Sequence, residues 1–142
     1  MGVDISSRDG EQYFRSNWWF WRPLVAQMEV ADPTLFNTVE HWGTNDGDGL
    51  RSREDCQAMA LALSGMKEQV LAIVTEQEAL PDIECKYCDG KGTRFFDGED
   101  TKCNACDGTL KQPHPDKQYP YDWEFTEEWI AFLQKSDGFK IW

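Results

Sequence analysis

Basic charge, histidine and long apolar runs are all scarce in this chain, and each shortage removes a class of function. Only 14 Lys and Arg stand against 26 Asp and Glu, for a formal charge of −12. Such a field repels phosphate backbones, so general nucleic-acid binding is not expected unless the cations are segregated. They are not: across Cys85 to Lys111, the cations Lys86, Lys91, Arg94, Lys102 and Lys111 are matched by Asp89, Asp97, Glu99, Asp100 and Asp107. No run of apolar residues approaches the roughly 18 that a membrane span requires, so no membrane association is expected. The opening MGVDISSRDG has no basic start followed by an apolar run, so no secretory signal is read and a reducing, cytoplasmic setting is expected.

With two histidines, and no nucleophile–base pair, phosphate loop or open metal triad in view, an enzyme is not expected. The rival enzymatic reading rests on His41, beside Glu40, together with the Asp-rich loop Asn45-Asp46-Gly47-Asp48-Gly49. That loop aligns only loosely with a calcium loop: Thr44 stands at the first ligand position, and Asp55 stands where the bidentate Glu belongs.

What the chain does have is a cysteine constellation. Cys85 and Cys88, then Cys103 and Cys106, form two Cys-x-x-Cys pairs with 14 residues between them. Two intervening residues let one tight turn aim both sulfurs at a single ion, and two such turns complete a tetrahedral Zn²⁺ shell, so one structural zinc is expected. The total of five cysteines is odd, which argues against a disulfide framework. Cys56 falls on an apolar helical stripe and reads as a small buried hydrophobe. Glycines follow each pair, in Asp89-Gly90-Lys91-Gly92 and Asp107-Gly108, as expected of knuckle turns that direct amides at thiolates.

The segments CKYCDGKG and CNACDGTL resemble the CxxCxGxG repeats of the cysteine-rich zinc domain of DnaJ-type co-chaperones. The first repeat matches in full, and the second has Leu110 where the last Gly would stand. Those domains carry four repeats around two zinc centres, and this chain has enough for one. The likeness covers about residues 83–111 and implies a zinc module there. His114-Pro115-Asp116 also reproduces the tripeptide by which J domains engage their chaperone partner, but the basic helix that presents it is lacking, so it is read as coincidence.

Around this insert the pattern is helical. Pro23 is expected in the first turn of a new helix whose inner face is Leu24, Val25 and Met28, preceded by the aromatic run Trp18, Trp19, Phe20 and Trp21. One long helix is read from Ser52 to Leu80, with Cys56, Met59, Ala60, Leu63, Met66, Val70, Ile73 and Val74 on its buried face and room for a bend at Ser64-Gly65. A short helix is read from about Thr126 to Ser136, capped by Thr126 and stopped by Gly138, with Phe139 and Ile141 adding an extended tail to the core. The expected fold is therefore mainly α: a small helical domain (1–82 and 112–142) organised around one long helix, with a zinc-knuckle β-hairpin insert (83–111).

Outside the insert, the order of a WWFWRPL segment, an NDG loop, a long helix and a terminal SDGF resembles uncharacterised small proteins of bacteria and their phages. That likeness implies a bacterial or phage-infected cell and carries no activity with it. The expected function is a non-enzymatic, zinc-containing protein-interaction module. Its most specific form is an acidic phage-type inhibitor that engages the basic surface of a host nucleic-acid-binding defence complex. A chaperone-like or assembly adaptor is the alternative.

Overall fold

The computed structural model describes residues 2–43 and 47–142. The chain divides into two compact units, one formed by residues 1–75 with 119–142 and the other by residues 76–118.

The first unit begins with a hairpin that the sequence reading missed. Strand β1 (Gly2–Ser7) pairs antiparallel with β2 (Tyr13–Asn17), with Val3 opposite Ser16 and Ile5 opposite Phe14. Alternation places Val3, Ile5 and Ser7 of β1 and Phe14 and Ser16 of β2 on the buried face, the period-2 signature of a half-buried sheet. Helix α1 (Trp18–Ala31) starts directly after β2, because the Asn17 side chain accepts from the Phe20 amide and caps it. This moves the helix start upstream of the expected position. Pro23 lies in the helix interior, where its ring forfeits one intrahelical bond, and its neighbours Trp21, Leu24 and Met28 are buried.

The short helix α2 (Pro33–Phe36) follows, then the two-residue strand β3 (Gly47–Asp48). The long helix read from Ser52 to Leu80 is two helices, α3 (Arg53–Ser64) and α4 (Lys67–Glu78), bent by 57° at the break. Ser52 caps α3, its hydroxyl accepting from the Asp55 amide at 3.1 Å. Of its expected inner face, Cys56 through Val70 are buried, whereas Ile73 and Val74 are half-buried. No single helix among the described residues is long and apolar enough to cross a membrane.

Helix α5 (Trp123–Lys135) begins three residues before the expected start, capped by Asp122 in place of Thr126. Thr126 instead turns its hydroxyl into the core, donating to Gln27 Oε1 at 2.7 Å. The helix ends at Ser136, whose extended backbone stops it ahead of Gly138. Strand β8 (Phe139–Ile141) then enters the sheet between β1 and β3, giving the order β2-β1-β8-β3, all antiparallel. The tail expected beside the core is thus an interior strand of a four-stranded sheet. With 43% helix and 20% strand, the fold is mixed α/β, which corrects the mainly-α expectation.

Trp129 of α5 is fully buried where sheet and helices meet. It packs edge-on against Trp21 of α1 at 5.3 Å, against Phe14 of β2 at 5.0 Å and against Phe139 of β8 at 5.3 Å. Offset and edge-to-face rings of this kind add to what burial alone contributes.

Gly49, just beyond β3, has no room for a side chain: a Cβ there would stand 1.9 Å from the Phe139 ring. Gly49→Ala is therefore expected to cost about 1–3 kcal/mol by overpacking. At the α3–α4 break, Gly65 has φ −80° and ψ −4°, and a Cβ would meet only the Ala62 carbonyl at 3.5 Å. Gly65→Ala should stabilise by about 0.4–1 kcal/mol through the unfolded chain. Paired urea denaturation curves check both signs.

Candidate metal centre

Residues 76–118 form two short antiparallel ribbons. Strand β4 (Ile83–Glu84) pairs with β7 (Lys111–Gln112), and β5 (Thr93–Phe96) pairs with β6 (Glu99–Lys102). The β5–β6 hairpin turns through Asp97 and Gly98, both at positive φ (52° and 81°), the conformation that a two-residue Asp-Gly turn supplies. Each Cys-x-x-Cys turn follows one strand of a ribbon: Cys85 follows β4 and Cys103 follows β6.

The two halves repeat each other. The Cys85 amide donates to the Leu110 carbonyl and the Cys103 amide to the Gly92 carbonyl, both at 2.9 Å. These bonds tie the start of each turn to the end of the other.

This reciprocity brings all four cysteines together. Their sulfurs lie within 4.8 Å of one another, with Cys85 Sγ 3.9 Å from Cys103 Sγ and Cys88 Sγ 3.8 Å from Cys106 Sγ. A tetrahedron of sulfurs each about 2.3 Å from a central ion has edges of about 3.8 Å. A disulfide instead needs about 2.05 Å, and all four thiols are free. The four cysteines can therefore hold one metal ion in a closed shell. All are buried, so the sulfurs are shielded from water.

An amide donor reaches a sulfur as knuckle geometry requires: the Gly92 amide donates to Cys88 Sγ at 3.3 Å. Gly92 sits at φ +78°. At the matching position of the second half stands Leu110, at φ +71°, a conformation costly for a side chain with a Cβ. The departure from the repeat pattern therefore keeps the backbone turn and replaces only the residue. A Cβ on Gly92 would approach the Leu110 side chain to 2.8 Å, so the leucine fills the space that the glycine leaves.

The electrostatics of the cluster are uneven. Burial pushes the Cys85 thiol up to about 11, outweighing the amides of Tyr87 and Cys88. Burial also acts to raise Cys88, but the Gly92 amide and the neighbouring cysteine sulfurs bring it down to about 7. The Cys88 proton thus leaves easily, and a metal must displace the one on Cys85.

The remaining sequence candidates lie elsewhere. Cys56 is buried in the core of the first unit, where desolvation raises its thiol to about 11, in keeping with a neutral packing role. His41 is exposed and lies 3.4 Å from Glu40. Thr44, Asn45 and Asp46, on which the calcium-loop and acid/base readings drew, lie outside the described residues. His114-Pro115-Asp116 enters a short 3₁₀ turn (Pro115–Gln118), where His114 Nδ1 accepts from the Asp116 amide at 3.2 Å.

No protein-family model matches this chain, and no curated protein or solved structure does either.

Because thiols must shed protons to bind, metal affinity is expected to rise with pH. At pH 6 protons compete at both Cys85 and Cys88; by pH 8 Cys88 is largely thiolate, while the Cys85 thiol, raised to about 11, still resists. Competition with a chelator across pH 6–8 checks this, and a flat profile would exclude thiolate ligation.

Proposed function

We propose that residues 83–111 bind one structural Zn²⁺ through Cys85, Cys88, Cys103 and Cys106, and that the protein acts as a non-enzymatic protein-interaction module. The observation that carries this reading is the buried four-sulfur cluster at tetrahedral spacing. All-sulfur tetrahedral sites favour zinc or iron–sulfur chemistry, and a closed single-ion shell leaves no position for a substrate. The zinc here fixes structure, and function falls to the surface that it holds in place.

That surface is unusual in composition. Every residue of β5 and β6 is exposed, including Phe95 at 75% and Phe96 at 73%, and Tyr87 on the first knuckle is also exposed. Aromatic rings left in water on a short ribbon are the kind of anchor on which protein interfaces draw. The partner fitting a chain of charge −12 is a protein with a basic surface, and a nucleic-acid-binding host complex blocked by an acidic phage-type inhibitor is its most specific form. The knuckle likeness to DnaJ-type repeats, together with the uncovered Phe95 and Phe96, supports a second reading as a chaperone-like adaptor for apolar client segments.

Purified reduced protein should carry one zinc per chain by elemental mass spectrometry, and Cys106→Ser should lose it; a metal-free wild-type protein would end the zinc reading. Affinity capture with the wild-type chain, compared with a Phe95→Ser/Phe96→Ser variant, should recover a basic protein that the variant loses. Recovery unchanged by the substitutions would remove this hairpin as the contact surface.

A further inference from the structure

A second feature lies wholly within the unit formed by residues 1–75 and 119–142 and makes no use of the metal centre. Trp18, Trp19 and Arg22 of α1, with Val25, Trp42 and Tyr119, line an open groove of about 610 Å³. That volume falls in the range of roughly 300–1,000 Å³ that small-molecule sites occupy. The walls are indole and phenol rings, with Trp19 and Tyr119 packed at 5.3 Å.

Two polar groups on residues that line this groove bear on what it could hold. Indole N–H groups elsewhere in the core find acceptors: Trp21 Nε1 donates to the Trp42 carbonyl at 2.8 Å and Trp42 Nε1 to the Phe36 carbonyl at 3.0 Å. Trp18 Nε1 is buried and has no acceptor among the described residues. A buried donor left without a partner is uncommon, because it has given up water and gained nothing. Arg22 donates from Nη1 to the Tyr119 hydroxyl at 2.9 Å and stands over the Tyr119 and Trp18 rings at 5.1 and 5.9 Å. It forms no ion pair with a carboxylate among the described residues, in a chain with 26 of them.

The described lining thus supplies flat apolar walls, a cation and an unused donor, and no acidic side chain. A ligand complementary to it brings a flat apolar body, acceptor oxygens and negative charge. A cationic ligand would meet the guanidinium already lodged against the rings. A phosphate would bring more charge than one arginine and one indole can balance against the surrounding negative field. A carboxylate matches the guanidinium fork and carries a single charge.

We infer that this groove binds a planar aromatic carboxylate, its rings lying among the tryptophans and its carboxylate accepting from Arg22 and the Trp18 indole. Binding is non-covalent and requires no metal, so it and the zinc reading stand or fall separately.

The probe is 2-naphthoate, with uncharged 2-naphthamide and cationic 2-naphthylmethylammonium as comparisons, added to the ¹⁵N-labelled full chain. The Trp18 indole resonance is assigned through Trp18→Phe. Saturable movement of that resonance by the naphthoate is expected, with both comparison compounds binding at least about tenfold more weakly, as loss of a charge-assisted hydrogen bond implies. Arg22→Gln should weaken naphthoate binding to a similar extent while the spectrum stays dispersed. If Arg22→Gln fails to fold, Arg22→Lys, which keeps the charge and loses the fork, carries the same comparison. The inference is overturned if naphthoate leaves the Trp18 indole signal unmoved, if all three compounds bind alike, or if the Arg22 variant that folds binds as well as the parent.

Discussion

In residues 76–118, the four cysteine sulfurs are the core. The only buried residues of that unit are Cys85, Cys88, Cys103, Cys106 and Gly92, and the Gly92 amide donates to Cys88 Sγ. The ribbons β4–β7 and β5–β6 are two-stranded and contribute no buried side chain, and isolated two-stranded ribbons are at best marginally stable in water. Hydrophobic burial therefore does not hold this segment together. Four thiols at 3.8–3.9 Å along two of the tetrahedral edges cohere only weakly on their own, whereas an ion among them converts their proximity into bonds. Metal-binding energy at such a site is folding energy.

The other unit is held by the opposite means. Its sheet and helices enclose an apolar core in which Trp129 contacts rings from α1, β2 and β8, so elements from both ends of the chain meet at one indole. The few polar groups that core buries are paired, as with Thr126 on Gln27, and the unpaired Trp18 indole stands apart from that pattern. One chain thus combines a segment whose buried residues are four cysteines able to hold a metal ion and one glycine with a segment built on an apolar core.

The metal site was legible in the sequence because its chemistry is local: two residues between sulfurs fix a turn, and the same turn occurs twice. The helices were legible where the period was long and the caps strong, as at Ser52. The sheet was not. Strands β1, β2 and β8 offer only two or three inward residues each, Val3 and Ile5 or Phe139 and Ile141, too few for alternation to stand out. The pairing that makes them a sheet joins Ile5 to Ile141, a contact that no local pattern encodes. Leu110 was visible as a break in the repeat, but that its backbone would keep the glycine conformation at φ +71° follows only from the reciprocal bond to the Cys85 amide. The aromatic groove was hidden for the same reason as the sheet: the WWFW run announces rings, and only the tertiary structure shows that Tyr119 and Trp42 complete a cavity with them.

The most direct measurement is amide hydrogen exchange on the reduced protein with zinc bound and after chelation. Removing the ion should let the amides of residues 83–111 exchange at rates close to those of an unfolded chain, while Ile5, Trp129 and Ile141 keep their protection. Protection across 83–111 that is indifferent to the ion would contradict the account, because the sulfurs would then be holding the fold without it.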